Sequence, residues 1–354
     1  MAQSVKKIIL VTSSWAPVNG GISDYSMRLM GALASSGVEV QVITSAEFNI
    51  QPVLESDLKV LPVIKKWHRN QFLSLLPYIW RFRPDWVIVQ YPSEIPGNES
   101  SLSPWVPVFL KFFWPYSKSA YIVHEYADTL ASNRPSLLRA FKFCRIVFCL
   151  NKSDKLALQN DGVDSTLTEL GSSITYSELV DARINEPFFV YFGRQDERKG
   201  FGDLLAAIKE LPDVRIKAIG PVNPSSFKAA SSLGVSEQIE WCGPLEDHVI
   251  SGLFQRSIAS IAPFRDGVRP NSSSAIAAIS NKSRIITTIG EDTPSYMIDD
   301  PAITLIQPNN PGVLAEAIRT YPQLATETQM KSLSELSKHL QWDRIAIDFT
   351  SQLK

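Results

Sequence analysis

The stretch FFVYFGRQDERKGFGDLLAAI, residues 188–208, decides how the rest of the sequence is interpreted. Its apolar run Phe188–Phe192 ends at Gly193, a turn carries Arg194 and Lys199, and apolar residues then recur at helical spacing. Strand, short loop and helix in this order place both cations at the carboxyl end of a strand. Open α/β sheets bind ligands there, and two cations beside a helix N-terminus suit a diphosphate. The alternative is an ordinary strand–helix turn whose two cations are merely solvated.

The composition is that of a globular chain with room for two domains. Its 354 residues exceed the usual size of one domain, and 44% hydrophobic residues leave little capacity for disorder. A net charge of −1 gives no electrostatic support for nucleic-acid binding. The three cysteines lack metal-ligand spacing, which favours reduced thiols in a cytoplasmic protein. No apolar run is long enough to span a bilayer, so at most we expect association with the inner face of a membrane.

Apolar runs and helical stretches alternate through the first half, beginning with KIILVT at 7–12. This alternation predicts a doubly wound parallel sheet. Gly20 and Gly21 stand at the first helix start, where backbone amides can approach a phosphate; a tight turn is the alternative. His124 ends a strand beside Glu125, which places it at the ligand-binding edge unless it is a satisfied structural residue.

The second half repeats the alternation, and its loop DGVRPNSSSAIAAI at 266–279 is rich in polar groups. Asp266 can accept hydrogen bonds from sugar hydroxyls. The following helix start offers amides and hydroxyls that suit a phosphate, from Asn271, Ser272, Ser273 and Ser274. The alternative is that these serines only cap the helix. The predicted fold class is therefore α/β, with two doubly wound, Rossmann-like parallel sheets that face each other across a cleft.

A basic and aromatic segment, KKWHRNQFLSLLPYIWRFRP at 65–84, admits two interpretations. A helix with this composition can lie on an anionic membrane surface. The bland alternative is a crossover helix whose apolar face covers the sheet. The apolar segment at 101–118 is a second candidate for membrane contact.

The ordered motifs resemble retaining glycosyltransferases of the GT-B fold, close to family 4. They are GGIxxYxxxLxxxLxxxG from Gly20, the VHE ending at 123–125, GRxDxRKG at 193–200, and the DG…SSSAIAAIS block. QWDRIAIDF at 341–349 is similar to the last helix of such enzymes, which returns to the first domain. The predicted domains are an acceptor-side domain at 1–175, a nucleotide-sugar domain at 183–338 and a returning helix at 339–354.

The resemblance implies roles for single residues. Arg194 and Lys199 hold the donor's diphosphate, and Gly20 and Gly21 bring amides near the phosphates or the acceptor. His124 hydrogen-bonds the transferred sugar.

The family's Glu-x7-Glu motif falls on Asp266 and Ser274, with Asn271, Ser272 and Ser273 between them as further donor-binding groups. Serine replaces the glutamate that usually grips the ribose. The base of the nucleotide is therefore left open, with UDP or GDP preferred. No metal and no bound cofactor is expected.

The resemblance thus implies a retaining, metal-independent hexosyltransferase that acts on a saccharide or lipid-linked acceptor in surface polysaccharide, lipopolysaccharide or glycolipid synthesis. Two alternatives remain open. The first is a catalytically impaired GT-B protein that binds a nucleotide sugar or a partner. The second is another two-domain enzyme, such as a sugar-nucleotide epimerase or a phosphorylase.

Overall fold

The computed structural model describes residues 6–16, 20–46, 54–55, 57–91, 102–129, 131–178 and 186–353. The chain divides into two compact units. The first comprises Met1–Leu170 with Trp342–Lys354, and the second is Gly171–Gln341. The predicted boundary at residue 183 lies outside the described residues, as does residue 101 at the start of the predicted apolar segment.

The first unit contains a mostly parallel sheet. Its strands are β1 (Lys7–Val11), β2 (Glu39–Ser45), β3 (Leu54–Glu55), β4 (Leu58–Ile64), β5 (Trp86–Tyr91), β6 (Lys118–Val123), β7 (Ile146–Cys149) and β8 (Thr166–Leu167). Over the described residues their order is β3-β4-β2-β1-β5-β6-β7-β8. Only the two-residue edge strand β3 pairs antiparallel among them. Strands β1, β5 and β6 therefore end side by side in the middle of the sheet.

The second unit contains a fully parallel sheet. Its strands are β9 (Phe189–Phe192), β10 (Ile216–Ile219), β11 (Ile239–Gly243), β12 (Ser260–Ala262), β13 (Ile285–Thr288) and β14 (Ile303–Ile306). Among the described residues six strands pair in the order β11-β10-β9-β12-β13-β14. The order reverses between β9 and β12, the kind of switch point at which open α/β sheets bind ligands.

Helices connect the strands of both sheets. They are α1 (Gly21–Ser35), α2 (Phe72–Phe82), α3 (Val106–Phe113), α4 (Arg134–Phe141), α5 (Lys152–Asn160), α6 (Phe201–Ile208), α7 (Pro224–Leu233), α8 (Asp247–Arg256), α9 (Ser273–Ser280), α10 (Pro311–Arg319), α11 (Glu327–His339) and α12 (Trp342–Gln352). Within the described ranges, none combines the length and apolar character needed to cross a bilayer.

Strand β1 shows why a buried parallel strand is apolar throughout. Ile8 and Leu10 lie in the core beneath α1 and α12, whereas Ile9 and Val11 lie in the core beneath α2 and α3. Since both faces are covered, alternation between apolar and polar residues is absent from the strand. The predicted α/β class with two doubly wound parallel sheets is confirmed.

The last helix, α12, belongs to the core of the first unit. The Phe349 ring stacks on that of Phe148 in β7, with 4.6 Å between ring centroids. Trp342 meets the Tyr25 ring of α1 edge to face at 5.5 Å. These apolar contacts hold α12 against β7 and α1 of the first unit.

Glycines allow the loops of the second sheet to approach closely at its carboxyl edge. Gly200, which caps α6, has φ +69°, and a Cβ there would lie 1.8 Å from the carbonyl oxygen of Pro263 after β12. A Cβ on Gly267 would lie 2.4 Å from the Cα of Gly290, which follows β13. The loops after β9, β12 and β13 can therefore converge only without side chains at these points.

We expect Gly200→Ala to lower the free energy of unfolding by more than about 2 kcal/mol, because left-handed backbone strain adds to a collision with Pro263. Gly202→Ala is the matched control. It lies inside α6, its Cβ would meet nothing within 4 Å, and the change should be neutral or stabilising. Urea unfolding of both variants measures the difference, and equal stability would contradict the packing described.

Candidate active site

The turn between β9 and α6 is built by its own hydrogen bonds. The Gly193 amide donates to the carbonyl of Ile219 (2.9 Å), and the Lys199 amide donates to Asp196 Oδ1 (2.9 Å). The Tyr191 hydroxyl donates to the carbonyl of Arg194 (2.7 Å). The turn is therefore fixed on three sides before any ligand binds.

The two cations of this turn lie in different surroundings. The Arg194 side chain is 71% exposed, and its Nε lies 3.5 Å from Asp196 Oδ2. The Lys199 ammonium lies 4.8 Å from the centroid of the Phe264 ring and donates to Ser274 Oγ at 3.4 Å. Taken alone, the exposed Arg194 fits the alternative of a merely solvated cation. Lys199 does not, because it lies between two loops.

Burial lowers the pKa of Lys199 from its ordinary 10.5 to about 8. The positive charge of Arg198 lowers this pKa further, Asp196 opposes the shift, and Arg194 adds a smaller lowering. The Lys199 ammonium is partly buried, and the two guanidinium groups near it are opposed by one carboxylate, Asp196. An anionic ligand at this position would stabilise the ammonium.

The start of α9 meets this turn. A Cβ on Gly193 would lie 3.9 Å from the Cβ of Ser274, so the loop after β9 and the first turn of α9 are in van der Waals reach. Ser274 is buried and contacts Lys199. The structure therefore brings Lys199 and Ser274 together, as a shared phosphate site requires.

The other polar residues at this helix start differ in exposure. Ser272 is buried and accepts a hydrogen bond from the Arg269 amide (2.9 Å), while Asn271 and Ser273 are partly exposed. Ser272 makes no side-chain cap bond to α9 within the described structure. The alternative in which these serines serve only as caps is therefore not supported at Ser272.

Asp266 stands apart from the Lys199–Ser274 contact. Its side chain is 63% exposed, and its Oδ2 lies 3.9 Å from Arg269. Among the described residues it forms no hydrogen bond or ion pair with Lys199 or Ser274. Its predicted role in sugar recognition stays a prediction.

In the first unit, α1 begins at the predicted glycines. Gly20 is extended (φ 169°), and its carbonyl accepts a hydrogen bond from the Asp24 amide at 3.0 Å. One turn further on, Ser26 Oγ lies 2.6 Å from Gln90 Oε1. Gln90 Nε2 in turn lies 3.0 Å from His124 Nε2. Buried side chains thus link the first helix to the end of β6.

His124 is held as a neutral ring. Burial lowers its pKa from 6.5 to about 3, and the Tyr25 ring meets its face edge-on at 5.1 Å. Its neighbour Glu125 has φ +57°, which is rare for a residue with a side chain. Backbone strain of this kind is concentrated at functional sites.

The loop after His124 is fastened to α5. Asp154 Oδ1 accepts from the Ala127 amide (2.8 Å), and the Tyr126 hydroxyl donates to Asp161 (2.8 Å). Arg134 pairs with the same Asp161 carboxylate at 3.3 Å. These contacts keep the strained turn in one conformation.

Several of these contact residues were not predicted as functional. Gln90 had a signal, since it is a polar residue in the otherwise apolar run WVIVQ. Tyr25 and Ser26 lie inside the motif that begins at Gly20, where Tyr25 has the spacing of a core-facing helix position and Ser26 is an ordinary polar residue. Phe264 gave no signal, because an aromatic residue after a strand is ordinary.

Across the described ranges, no three His, Cys, Asp or Glu side chains are placed to hold one metal ion. The predicted site residues fall into two sets. Gly20, Gly21 and His124 belong to the first unit, and Arg194, Lys199, Asp266 and Asn271–Ser274 belong to the second.

The buried His124 predicts a pH dependence of stability. The pKa of His124 is lowered in the folded chain. The unfolded chain therefore binds a proton at this residue below about pH 6.5, whereas the folded chain binds it only below about pH 3. Stability should therefore fall as the pH falls through this window, by up to about 1.4 kcal/mol per pH unit for this group. We expect His124→Asn to flatten the fall in unfolding free energy.

His248→Asn is the matched control, because the His248 side chain is 66% exposed. Its pH profile should follow that of the wild-type chain. Equal slopes for the His124 variant and the wild type would show that His124 is not the buried neutral ring described.

Residues 186–322 match the family model described as glycosyl transferases group 1. A search of curated protein sequences finds no match to the chain.

Three solved structures illustrate the fold. Sucrose-phosphate synthase (tll1590) from Thermosynechococcus elongatus has a TM-score of 0.75 at 18% identity, and 98% of each chain is covered. A glycosyltransferase from Rickettsia africae has a TM-score of 0.75 at 15% identity, over 99% of this chain and 98% of that one. Anabaena Alr3699/HepE in complex with UDP and glucose has a TM-score of 0.74 at 14% identity, over 98% and 99%.

At these identities the structural similarity establishes the fold alone, and the family model matches residues 186–322. The predicted resemblance to group 1 glycosyltransferases is confirmed, while the Asp266…Ser274 variant of the motif stays a prediction. Residues 186–322 thus match the glycosyl transferases group 1 family model, in a chain with the GT-B-like fold of two parallel α/β sheets.

Proposed function

We propose that this chain transfers a sugar from a nucleotide-diphosphate sugar to a hydroxyl acceptor with retention of configuration. The observation that carries the proposal is the contact of the Lys199 ammonium with Ser274 at the start of α9, next to exposed Arg194. Cations and helix amides meet there at the switch point of the second sheet. This arrangement suits a leaving diphosphate.

The chemistry follows from the charge that develops. As the bond between sugar and diphosphate breaks, negative charge grows on the leaving phosphate oxygens. Burial lowers the pKa of the Lys199 ammonium to about 8, and a bound diphosphate would favour its charged form. Arg194 can close on the same group, because its side chain is exposed and held only by Asp196 in the turn.

The donor class is inferred from the fold relatives. HepE was solved in complex with UDP and glucose, which favours a uridine nucleotide here over GDP. We propose that Ser272, Ser273 and Asn271 complete the phosphate site and that Asp266 and Ser274 contribute to sugar and ribose binding. Gly20, Gly21 and His124 would serve the acceptor and the transferred sugar from the first unit.

No divalent ion is assigned to the reaction, because the cations of the turn and the α9 amides can neutralise the leaving group. Chelation with EDTA tests this assignment. Full activity in EDTA supports it, whereas activity that returns only with Mg²⁺ or Mn²⁺ overturns it.

The Lys199–Ser274 site makes a direct prediction. Arg194→Ala and Lys199→Ala should each lower turnover about 10²–10³-fold, because each removes charge from the developing oxyanion. The Arg194 variant should also lose the thermal shift given by nucleotide diphosphates. Arg215→Ala is the control, since Arg215 lies at the opposite, amino-terminal edge of the sheet beside β10.

A screen of UDP, GDP and ADP sugars with the wild-type chain identifies the base.

Near-normal turnover in the Arg194 or the Lys199 variant would remove that cation from the mechanism. A thermal shift without sugar transfer to any acceptor would favour the alternative of a catalytically impaired binding subunit. That alternative rests on Ser274, which stands where the family usually has a glutamate.

The acceptor is proposed to be presented at a membrane surface. Leu73 and Trp80 of α2 are 61% and 49% exposed, and Phe112 of α3 is 71% exposed. The helices lie side by side, since the Phe72 ring contacts Phe113 at 6.1 Å between centroids. Large apolar side chains in water at adjacent helices mark an interaction surface.

The sequence segments that form this apolar face carry only positive charges. Residues 58–84 and 102–118 contain no Asp or Glu, and they carry Lys59, Lys65, Lys66, Arg69, Arg81, Arg83, Lys111 and Lys118. Basic residues in the same segments as exposed aromatic residues suit an anionic lipid surface. Phe72 and Leu76 cover the sheet, as the crossover-helix interpretation of the segment at 65–84 predicts, whereas the exposed Trp80 supports the proposed membrane contact.

We expect the double variant Trp80→Ser with Phe112→Ser to bind vesicles of phosphatidylglycerol and phosphatidylcholine about tenfold more weakly or worse. Glutamates in place of Lys65, Lys66 and Arg69 should act in the same direction. Ile347→Ser, at a 61% exposed apolar side chain on α12, is the control. Unchanged vesicle flotation of both test variants would exclude this surface.

A further inference from the structure

A row of polar groups inside the first unit runs from α1 to His124. Ser26 Oγ lies 2.6 Å from the carbonyl of Ile22 and 2.6 Å from Gln90 Oε1. Gln90 Nε2 lies 3.0 Å from His124 Nε2. Ser26 and Gln90 are 1% and 3% exposed, so water cannot substitute for a missing partner.

The hydrogens in this row can be counted. Ser26 has one hydroxyl hydrogen, and the Ile22 carbonyl can only accept it. With Oε1 of Gln90 facing Ser26, two acceptors 2.6 Å away compete for that one hydrogen. One of these short oxygen–oxygen contacts would then have no proton, which is costly in a buried site.

Rotation of the Gln90 amide by 180° resolves the conflict. The oxygen and nitrogen of an amide have nearly the same size, so the network decides which faces which neighbour. With its NH₂ toward Ser26, Gln90 donates to Ser26 Oγ, and Ser26 donates to Ile22. The amide oxygen then faces His124 Nε2, which must carry the hydrogen.

We propose that Gln90 and Ser26 are positioning residues that hold His124 with its proton on Nε2 and its Nδ1 lone pair free to accept a hydrogen bond from a hydroxyl group. The inference rests on the proposed function in one respect, that the hydroxyl belongs to the transferred sugar. Among the described residues, Nδ1 has no hydrogen-bond partner. Tyr25 fixes the ring plane, with 81° between the two rings.

The proposal restricts what His124 can recognise. An Nδ1 lone pair accepts from a hydroxyl, but it repels a phosphate or carbonyl oxygen. The ring also stays neutral above about pH 4, because burial lowers its pKa to about 3. His124 therefore reads a hydroxyl and does not act as the acid that protonates the leaving phosphate.

Nitrogen NMR of the wild-type chain tests the tautomer directly. Two-dimensional ¹H–¹⁵N spectra of ¹⁵N-labelled protein at pH 7.5 separate protonated from unprotonated ring nitrogens. His124→Asn identifies the signals of His124 by their loss. A protonated Nε2 with an unprotonated Nδ1 is expected, and the reverse pattern overturns the proposal.

Variants test the positioning role. Gln90→Met has a similar size and removes the acceptor that the Nε2 proton requires. The Met variant should show ring shifts averaged over both tautomers and about tenfold lower turnover, with a smaller change in KM. An unchanged tautomer in the Met variant would remove Gln90 from this role.

The tautomer is measured without substrate, so it stands or falls separately from sugar transfer. If the wild-type chain shows the expected tautomer but transfers no sugar, the proposed function fails and the positioning role remains. If it transfers sugar with the proton on Nδ1, only the further inference fails.

Discussion

The close approach of backbone to backbone at Gly200 is the constraint on which the candidate phosphate site depends. With no side chain at Gly200, the loop after β9 can lie against Pro263, and this contact sets Lys199 beside Phe264. The partly buried ammonium then has Ser274 as its hydrogen-bond acceptor. The missing side chain of one glycine thus controls where a positive charge is placed. The depressed pKa of Lys199 is the electrostatic result of that packing.

In the first unit, the packing holds the neutral ring of His124 in place at the end of a strand. His124 sits where β6 finishes, next to a residue with left-handed backbone. Asp154 holds the following loop, Tyr25 holds the ring plane, and Gln90 meets the ring nitrogen. The two units therefore offer complementary chemistry. One presents cations and helix amides, and the other presents an uncharged ring with directional hydrogen bonding.

The fold could be predicted from sequence because its strands are buried on both faces. Continuous apolar runs such as Ile8–Val11 are typical of that environment, and glycine and polar residues mark the turns between them. The pairing of Lys199 with Ser274 was within reach, since both follow strands that adjoin in a switch-point topology. The contact of Ser26 with Gln90 could not be predicted, because it requires knowing that β1 lies beside β5 and that a polar side chain inside β5 meets the helix after β1. Side-chain exposure on α2 also escaped prediction, since periodicity alone cannot tell which aromatic residue the sheet covers.

The packing of α12 has a consequence for how the protein folds while it is being synthesised on the ribosome. The core of the first unit includes Ile345 and Phe349 from the end of the chain together with Ile8 and Leu10 from its beginning. Synthesis proceeds from the N-terminus, so the second unit is translated in full while the first still lacks a helix. Until α12 emerges, apolar surface on α1 and β7 has no cover. The first unit therefore completes its core only after the second unit has been translated, and a ribosome that stalls before α12 would leave that surface open to chaperones.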